Sequence, residues 1–108
     1  MTWVLLWITI KGLVRIEELV WTKENEDHIV EHHVTPQEVE ELFFEDAPYF
    51  RRGPGESLYH VYGQSGAGRY LFVVVIDLGA GKGWGWVVTA REMDKKERRL
   101  YQKRAKRR

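Results

Sequence analysis

Two kinds of side chain suited to phosphate chemistry occur in separate parts of the sequence. His28 and His32 lie four residues apart in a polar stretch, a spacing that places both on one face of a helix. Arg69 begins one apolar run and Arg91 ends the next. Histidine titrates near neutral pH and can move a proton, and the planar fork of arginine binds phosphate oxygens. These residues together predict a site for chemistry at a phosphate.

The two arginines flank a predicted β-hairpin. Residues 69–77 and 83–91 are rich in apolar strand formers and are joined by a glycine-rich turn. In an antiparallel hairpin the start of the first strand lies beside the end of the second. We therefore expect Arg69 and Arg91 to form a fork for one phosphate. The alternative is that they pair with the acidic helices, for example with Glu31 or Glu38.

Two helices are predicted before this hairpin. Thr22 has the properties of an N-cap for a helix over residues 23–33, with acidic residues in its first turn. Thr35 and Glu38 form a capping box, with proline at the first helical position, for a helix that ends near Phe44.

The remaining segments complete an α+β pattern. Short strands are predicted at residues 15–21, 49–52 and 57–62, and a helix follows the hairpin. Residues 73–76 are apolar without alternation, which predicts a central strand covered on both faces. We expect an antiparallel sheet of about four strands, with the two N-terminal helices packed on it and one basic C-terminal helix. Trp84 and Trp86 share a face of their strand, and core filling is favoured over a platform for a nucleotide.

The C-terminal helix is strongly basic. Asp94 is its predicted N-cap, and nine of the fifteen residues from there to the end are Lys or Arg, more than solubility needs. Tyr101 lies four residues after Glu97 and could stack on a base or hold phosphate, although packing on the sheet is favoured. The predicted phosphate-binding residues of this helix are Lys95, Lys96, Arg98 and Arg99.

Charge is divided between the two halves of the chain. Residues 1–50 hold three basic and eleven acidic side chains, and residues 51–108 hold fourteen basic and five acidic. The basic half could meet a polyanion such as RNA, or an acidic partner protein. The two halves could also neutralise each other across the fold.

The length of 108 residues predicts one domain, and the absence of cysteine excludes disulfides and thiolate metal sites and fits the cytoplasm. The apolar run at residues 3–10 is shorter than the roughly 20 residues that a membrane span needs. We expect no membrane association and no targeting signal. The predicted organisation is an N-terminal extension at 1–14 (an extra strand or a mis-assigned start), a domain at 15–102 and a basic tail at 103–108.

Several motifs, in order, resemble the BrnT-type toxin family. In the front half they are WTKEN at residues 21–25, HIVEH at 28–32 and VTPQEVE at 34–40. In the back half they are GRYLF at 68–72, TAR at 89–91 and KERRLY at 96–101. The resemblance runs from about residue 15 to 101. The sequence departs from it at His33, where the family usually has glycine.

The resemblance implies a small, metal-independent ribonuclease toxin with a RelE-like fold. It also implies a cognate ribbon-helix-helix antitoxin that neutralises the toxin and carries it to promoter DNA. His32 lies on the family motif and is the favoured proton-transfer residue. The expected catalytic set is His32, Arg69, Arg91 and Tyr101, with no cofactor.

Three alternatives to this hypothesis stay open. The pair His28 and His32 could clasp a metal, but Ile29 stands where a zincin helix has glutamate, so we expect no metal site. The protein could be a nucleic-acid-binding module without catalysis. It could also be an interaction domain whose basic helix docks an acidic partner.

Overall fold

A computed structural model describes residues 7–9, 12–14, 16–46, 48–55, 57–79 and 83–106. Some predictions made from the sequence lie outside the described residues. They concern Arg15, part of the hairpin turn and residues 107–108. In chain order the elements are β1 (Trp7–Thr9), β2 (Gly12–Val14), β3 (Glu18–Val20), α1 (Lys23–Val30), α2 (Pro36–Phe44), β4 (Tyr49–Arg52), β5 (Leu58–Gln64), β6 (Tyr70–Asp77), β7 (Trp84–Glu92) and α3 (Lys95–Lys106).

The main sheet has five strands in the order β3-β7-β6-β5-β4. Strands β4 to β7 pair antiparallel with their neighbours, whereas β3 pairs parallel with β7, with Glu18 opposite Trp84. The α+β class is confirmed, but the sheet is mixed and differs from the expected four antiparallel strands. The reason is that a parallel pair needs a long connection, and the chain between β3 and β7 supplies one that no local pattern reveals.

The two faces of the sheet carry different helices. On β6, Leu71 and Val73 are fully buried in the core cluster that includes side chains of α1 and α2. Phe72, between them, points the other way and is buried with Met93, which follows β7, and with Tyr101 of α3. These two surfaces are called the α1–α2 face and the α3 face. Strand β6 is therefore central and contacted on both sides, as its unbroken apolar run predicted.

Helix α1 ends earlier than predicted, at a turn in which the backbone of His33 takes an unusual conformation. The amide of His33 donates to the carbonyl of Val30 at 2.9 Å, and the amide of Val34 donates to that of Ile29 at 3.2 Å. This pair of bonds is a Schellman motif. His33 takes the left-handed conformation at φ 62°, which glycine adopts at lower cost. The departure from the family pattern at this position is therefore accommodated with backbone strain.

The predicted start of α2 is confirmed. The amide of Glu38 donates to the Thr35 hydroxyl at 3.2 Å, and the Glu38 carboxylate accepts from the amide of Thr35 at 3.1 Å. The apolar stripe Val39, Leu42 and Phe43 is fully buried. Reciprocal capping and burial of one stripe thus fix the position of Glu38 against the sheet.

The tryptophans of β7 do not fill the core as expected. Trp84 is 46% exposed, and Trp86 is half-buried. Gly85 lies between them on the α1–α2 face, where a Cβ atom would meet Val75 Cγ2 at 2.9 Å. Glycine is required there because Val75 already occupies the space.

The ends of the chain add regular structure. The described part of the N-terminal extension consists of β1 and β2, which pair antiparallel. Helix α3 continues to Lys106 and so includes the first four residues of the predicted tail. Among the described residues, none of the helices combines the length and apolar character needed to cross a bilayer.

Candidate active site

Arg69 is built into a polar junction on the α1–α2 face. Its Nη1 donates to both carboxylate oxygens of Glu38 at 2.9 and 2.8 Å, and to the carbonyl of His33 at 2.9 Å. Its Nε donates to Glu92 Oε2 at 3.1 Å. Arg69 therefore joins the start of β6 to the turn after α1 and to the first turn of α2. This is the ion pair with Glu38 that the sequence offered as the alternative to phosphate binding.

The junction holds both partners in their charged forms. Burial acts to raise the pKa of Glu38, but hydrogen bonds from Arg69 and Thr35 outweigh it and lower the pKa below the ordinary value. The hydrogen bond to Glu38 in turn raises the pKa of Arg69. An incoming phosphate would have to displace a carboxylate that several donors already satisfy.

Arg91 lies on the α3 face, opposite Phe72 in the sheet register. Its guanidinium carbon is 4.4 Å from the centre of the Phe72 ring. Its Nη1 and Nη2 donate to the two carboxylate oxygens of Glu97 at 2.8 and 2.9 Å. The expectation that Arg69 and Arg91 form one phosphate fork is therefore wrong. The hairpin ends are neighbours, but the two side chains point to opposite faces of the sheet.

His32 lies in the exposed turn after α1. Its ring centre is 5.5 Å from that of His28, edge to face, and His28 Nε2 is 3.1 Å from the hydroxyl of Thr89. Arg69 bonds the backbone of the adjacent residue, His33. The histidine turn is thus joined to Arg69, while Arg91 is on the other face of the sheet.

Tyr101 packs on the sheet, as favoured from the sequence. It is 5% exposed, contacts Phe72 and Met93, and its hydroxyl donates to Asp46 Oδ2 at 3.3 Å. The Arg98 guanidinium lies 4.8 Å from the centre of the Tyr70 ring. The predicted phosphate-binding side chains of α3 are exposed: Lys95, Lys96, Arg98 and Arg99. Of the predicted site residues, these four and Tyr101 therefore lie on α3, the helix that covers the face of the sheet on which Arg91 lies.

A histidine that the sequence analysis missed also lies on this face. His60 alternates with the buried residues Tyr59 and Val61 of β5 and so points to the α3 face. Its ring centre is 5.2 Å from that of Phe72, edge to face. Arg51 of β4 is directly opposite His60 in the register. The sequence placed His60 within the predicted strand at residues 57–62 without a role, and only the folded sheet shows what surrounds it.

Three side chains therefore contact one aromatic ring, and a fourth joins them through Arg91. Phe72 contacts His60, Arg91 and also Tyr62, whose ring centre is 5.2 Å away. Glu97 reaches the cluster through its two bonds to Arg91. This set of residues is called the Phe72 cluster.

Charge and burial shift the pKa values of the titrating groups in the Phe72 cluster. Burial lowers the pKa of His60, as do the positive charges of Arg51 and Arg91, and the charge of Glu97 opposes them without reversing the direction. The pKa of Glu97 is lowered chiefly by its hydrogen bond from Arg91. Burial raises the pKa of Tyr62, and the charge of Glu97 adds to the effect. Near neutral pH the cluster therefore combines a neutral imidazole with a protonated phenol.

A cavity of about 300 Å³ opens beside the cluster, between α3 and strands β4 and β5. It is called the α3 pocket. Arg51 is exposed there, and it makes no ion pair with any residue that the structure describes. The residues that line the pocket include Tyr49, Arg51, Tyr62, Glu97, Tyr101 and Arg104. The pocket thus presents aromatic rings and positive charge beside a histidine.

Comparison of the chain with protein-family models, curated proteins and solved structures finds no match in any of the three. Within the described ranges, no group of three or more His, Asp or Glu side chains is arranged to hold a metal ion. Function must therefore be argued from the geometry of the site itself.

Proposed function

We propose that the protein is a metal-independent endoribonuclease whose active site is the Phe72 cluster. The observation that supports this most directly is the position of His60, which lies opposite Arg51 in the sheet and contacts the Phe72 ring that Arg91 also contacts. A histidine whose pKa lies below its usual value is neutral near pH 7 and can act as a base. Two arginines beside it are suited to stabilise a phosphate that gains charge in the transition state.

The reaction assigns a role to each group. His60 removes the proton of a 2′-hydroxyl, and the 2′-oxygen attacks the adjacent phosphorus. Arg51 and Arg91 stabilise the charged phosphorane, and the bond from phosphorus to the 5′-oxygen then breaks. A proton passes to that oxygen from Tyr62, which its raised pKa keeps protonated. The products are a 2′,3′-cyclic phosphate and a free 5′-hydroxyl.

Glu97 occupies the place of the substrate in the free protein. Its carboxylate meets the guanidinium of Arg91 through two nearly equal bonds, the geometry in which arginine also binds phosphate. A substrate phosphate would take over one or both of these bonds. The ion pair keeps Arg91 charged and aimed across Phe72 until substrate arrives.

The wider biological proposal is a toxin of a type II toxin–antitoxin system. It is supported by the ordered resemblance to the BrnT-type family, which carries the expectation of a RelE-like fold. The toxin would act in the cytoplasm and be neutralised by a cognate ribbon-helix-helix antitoxin, which alone would contact promoter DNA. A short basic reading frame beside this one, encoding a ribbon-helix-helix protein, would support the pairing.

Cleavage of single-stranded RNA by the purified protein in EDTA tests the proposed reaction. We expect products that end in 2′,3′-cyclic phosphate, and His60→Ala should lower kcat/KM roughly 10²- to 10⁴-fold, the usual contribution of a general base. His32→Ala, on the other face, is the matched control and should change the rate by less than about threefold. If the two variants unfold at the same temperature, the lower kcat/KM of His60→Ala reflects lost catalysis and not lost stability.

Two results would refute this assignment. Wild-type protein that leaves RNA intact would exclude the nuclease. If instead His32→Ala abolished cleavage and His60→Ala did not, the active site would lie at the histidine turn beside Arg69.

A nucleic-acid-binding module without catalysis is the second candidate function. The observation that favours it is the row of exposed cations on α3, Lys95, Lys96, Arg98 and Arg99. It predicts RNA binding that weakens steeply with salt, because released counterions drive the association. Tight, salt-dependent binding by wild-type protein with no cleavage in EDTA would favour this function over the first.

A further inference from the structure

We infer that the α3 pocket is a nucleobase subsite, which makes single-stranded RNA the substrate class. The inference rests on the proposed nuclease function, because it places the base of a nucleotide next to the phosphate at the Phe72 cluster. It adds a stacking surface on Tyr49 of β4, a residue that the proposed catalytic set does not include.

The pocket has the size and walls that a base requires. Its volume of about 300 Å³ is at the lower end of the range for small-ligand pockets, roughly 300 to 1,000 Å³. Tyr49 and Tyr62 face each other across β4 and β5, and their ring centres are 6.0 Å apart with a 32° tilt. Aromatic walls of this kind bind bases through stacking, which every base can provide.

Arg104 already occupies a stacking position over one of these walls. Its guanidinium carbon is 4.3 Å from the centre of the Tyr49 ring. A guanidinium is planar and stacks on aromatic rings as a base does. Arg104 is exposed on α3, so it can swing into solvent when a base takes its place. Released from the ring, its charge would then be available to a backbone phosphate.

Arg51 connects the pocket to the reaction centre. It lines the pocket, and its charge also lowers the pKa of His60. A phosphate bound by Arg51 would therefore have the imidazole on one side and the entrance to the Tyr49 ring on the other. A nucleotide held in this way has its phosphate and its base recognised by Arg51 and Tyr49, which lie two residues apart on β4.

The arrangement excludes duplex RNA as the preferred substrate. A base can enter a pocket beneath α3 only if it is neither paired nor stacked in a helix. In A-form duplexes the bases are enclosed, and proteins bind mainly the backbone and the minor groove. We therefore expect cleavage in loops and unpaired segments.

The test uses a single-stranded oligonucleotide with 2′-O-methyl groups, which cannot be cleaved by attack of the 2′-oxygen, and with one 2-aminopurine. Binding to the whole protein is measured by fluorescence. Tyr49→Leu should raise Kd roughly 5- to 150-fold, the range for loss of one stacked base, and Tyr49→Phe should stay near wild type. The matched control is Tyr70→Leu. Tyr70 is also half-buried under an α3 arginine, but it lies outside the pocket.

Cross-linking gives a second measurement. Because it uses wild-type protein, no substitution can cause a folding defect that affects the result. An oligonucleotide containing 5-iodouridine is irradiated on the protein, and the attachment site is mapped by mass spectrometry. Attachment at Tyr49 or Tyr62 supports the subsite. Attachment only at other residues overturns it.

The outcomes separate this inference from the nuclease proposal. If Tyr49→Leu binds like wild type while unmodified RNA is still cleaved, the subsite is wrong and the nuclease stands. If binding depends on Tyr49 but unmodified RNA stays intact, the nuclease is wrong and the subsite stands. Equal affinity for a duplex of the same sequence, or equal competition by poly-glutamate, would overturn the subsite in favour of a general anion surface.

Discussion

Replacement of Arg69 by methionine separates a structural role from a catalytic one. Methionine keeps the length and apolar stem of the side chain but removes its charge. In the native protein this charge lies 2.8 Å from Glu38 and 3.1 Å from Glu92. Among the described residues, the substitution leaves Glu38 with the capping bonds of Thr35.

The expected cost follows from the exposure of the partners. Exposed ion pairs contribute about 0 to 1 kcal/mol, whereas removal of one partner of a buried pair costs roughly 3 to 5 kcal/mol. The side chains of Arg69 and Glu38 are 29% and 17% exposed, so the pair lies between these limits. Glu92 is 62% exposed and adds little. We expect Arg69→Met to lower the free energy of unfolding by about 2 kcal/mol, or to lower Tm by roughly 8 °C.

The loss should also depend on pH. The pKa of Glu38 is lower in the folded protein than in the unfolded chain, so the folded state favours the carboxylate. The resulting stabilisation is present above the ordinary carboxyl pKa and is lost as pH falls through the folded pKa. The difference between wild type and Arg69→Met should therefore be largest near neutral pH and shrink in acid.

Urea unfolding followed by circular dichroism, at neutral pH and at about pH 3, measures both effects. Lys23→Met is the control, because its pair with Asp27 is exposed and its loss should leave the midpoint unchanged. The structural role of Arg69 would be refuted if Arg69→Met unfolded like the control, or if its deficit were the same at both pH values. If Arg69→Met instead kept its stability and lost RNA cleavage, the phosphate-binding role predicted from the sequence would be restored.

Three further predictions concern single residues. The kcat/KM for RNA should rise with pH through a pKa below the ordinary histidine value and then level, because His60 must be neutral to act as a base; a profile that falls over this range would contradict the role. His33→Gly should raise the free energy of unfolding by up to about 1 kcal/mol, since glycine relieves the left-handed strain at φ 62°, whereas His33→Val should destabilise; the reverse order in urea unfolding would refute the argument. Tyr101→Ala should cost roughly 3 to 5 kcal/mol through lost packing, whereas Tyr101→Phe, which keeps the ring and loses the 3.3 Å bond to Asp46, should cost less than about 1 kcal/mol; similar calorimetric losses for both would contradict a packing role.

Local chemistry in the sequence determined most of the elements. The capping box of Thr35 and Glu38 needs only residues three apart, so its place in the sequence was enough to locate the start of α2. Strand β4 at Tyr49–Arg52 and the central position of β6 also followed from residue type and apolar pattern. The strand that carries His60 was predicted at residues 57–62, but the partners of His60 come from β4, β6 and α3. No sequence window contains those neighbours, so the Phe72 cluster was not predicted.

The side of the sheet on which Arg91 lies was decided by one residue of register. Val75 pairs with Val87, but Val74 pairs with Thr89, so a bulge places Val88 as an extra residue in β7. Without this bulge, Arg91 would lie opposite Leu71, on the same face as Arg69. The two arginines could then bind one phosphate together. With it, Arg91 lies opposite Phe72. A one-residue shift moves every later side chain of a strand to the other face.

The sequence by itself determined which residues could do phosphate chemistry and which segments would carry them. Only the tertiary structure decided which of those residues meet. Capping and alternation depend on neighbours a few residues apart, whereas register, bulges and the packing of α3 depend on the whole sheet. The tertiary structure therefore placed Arg69 in a junction with Glu38 and brought Arg91 together with His60, which the sequence had left without a role.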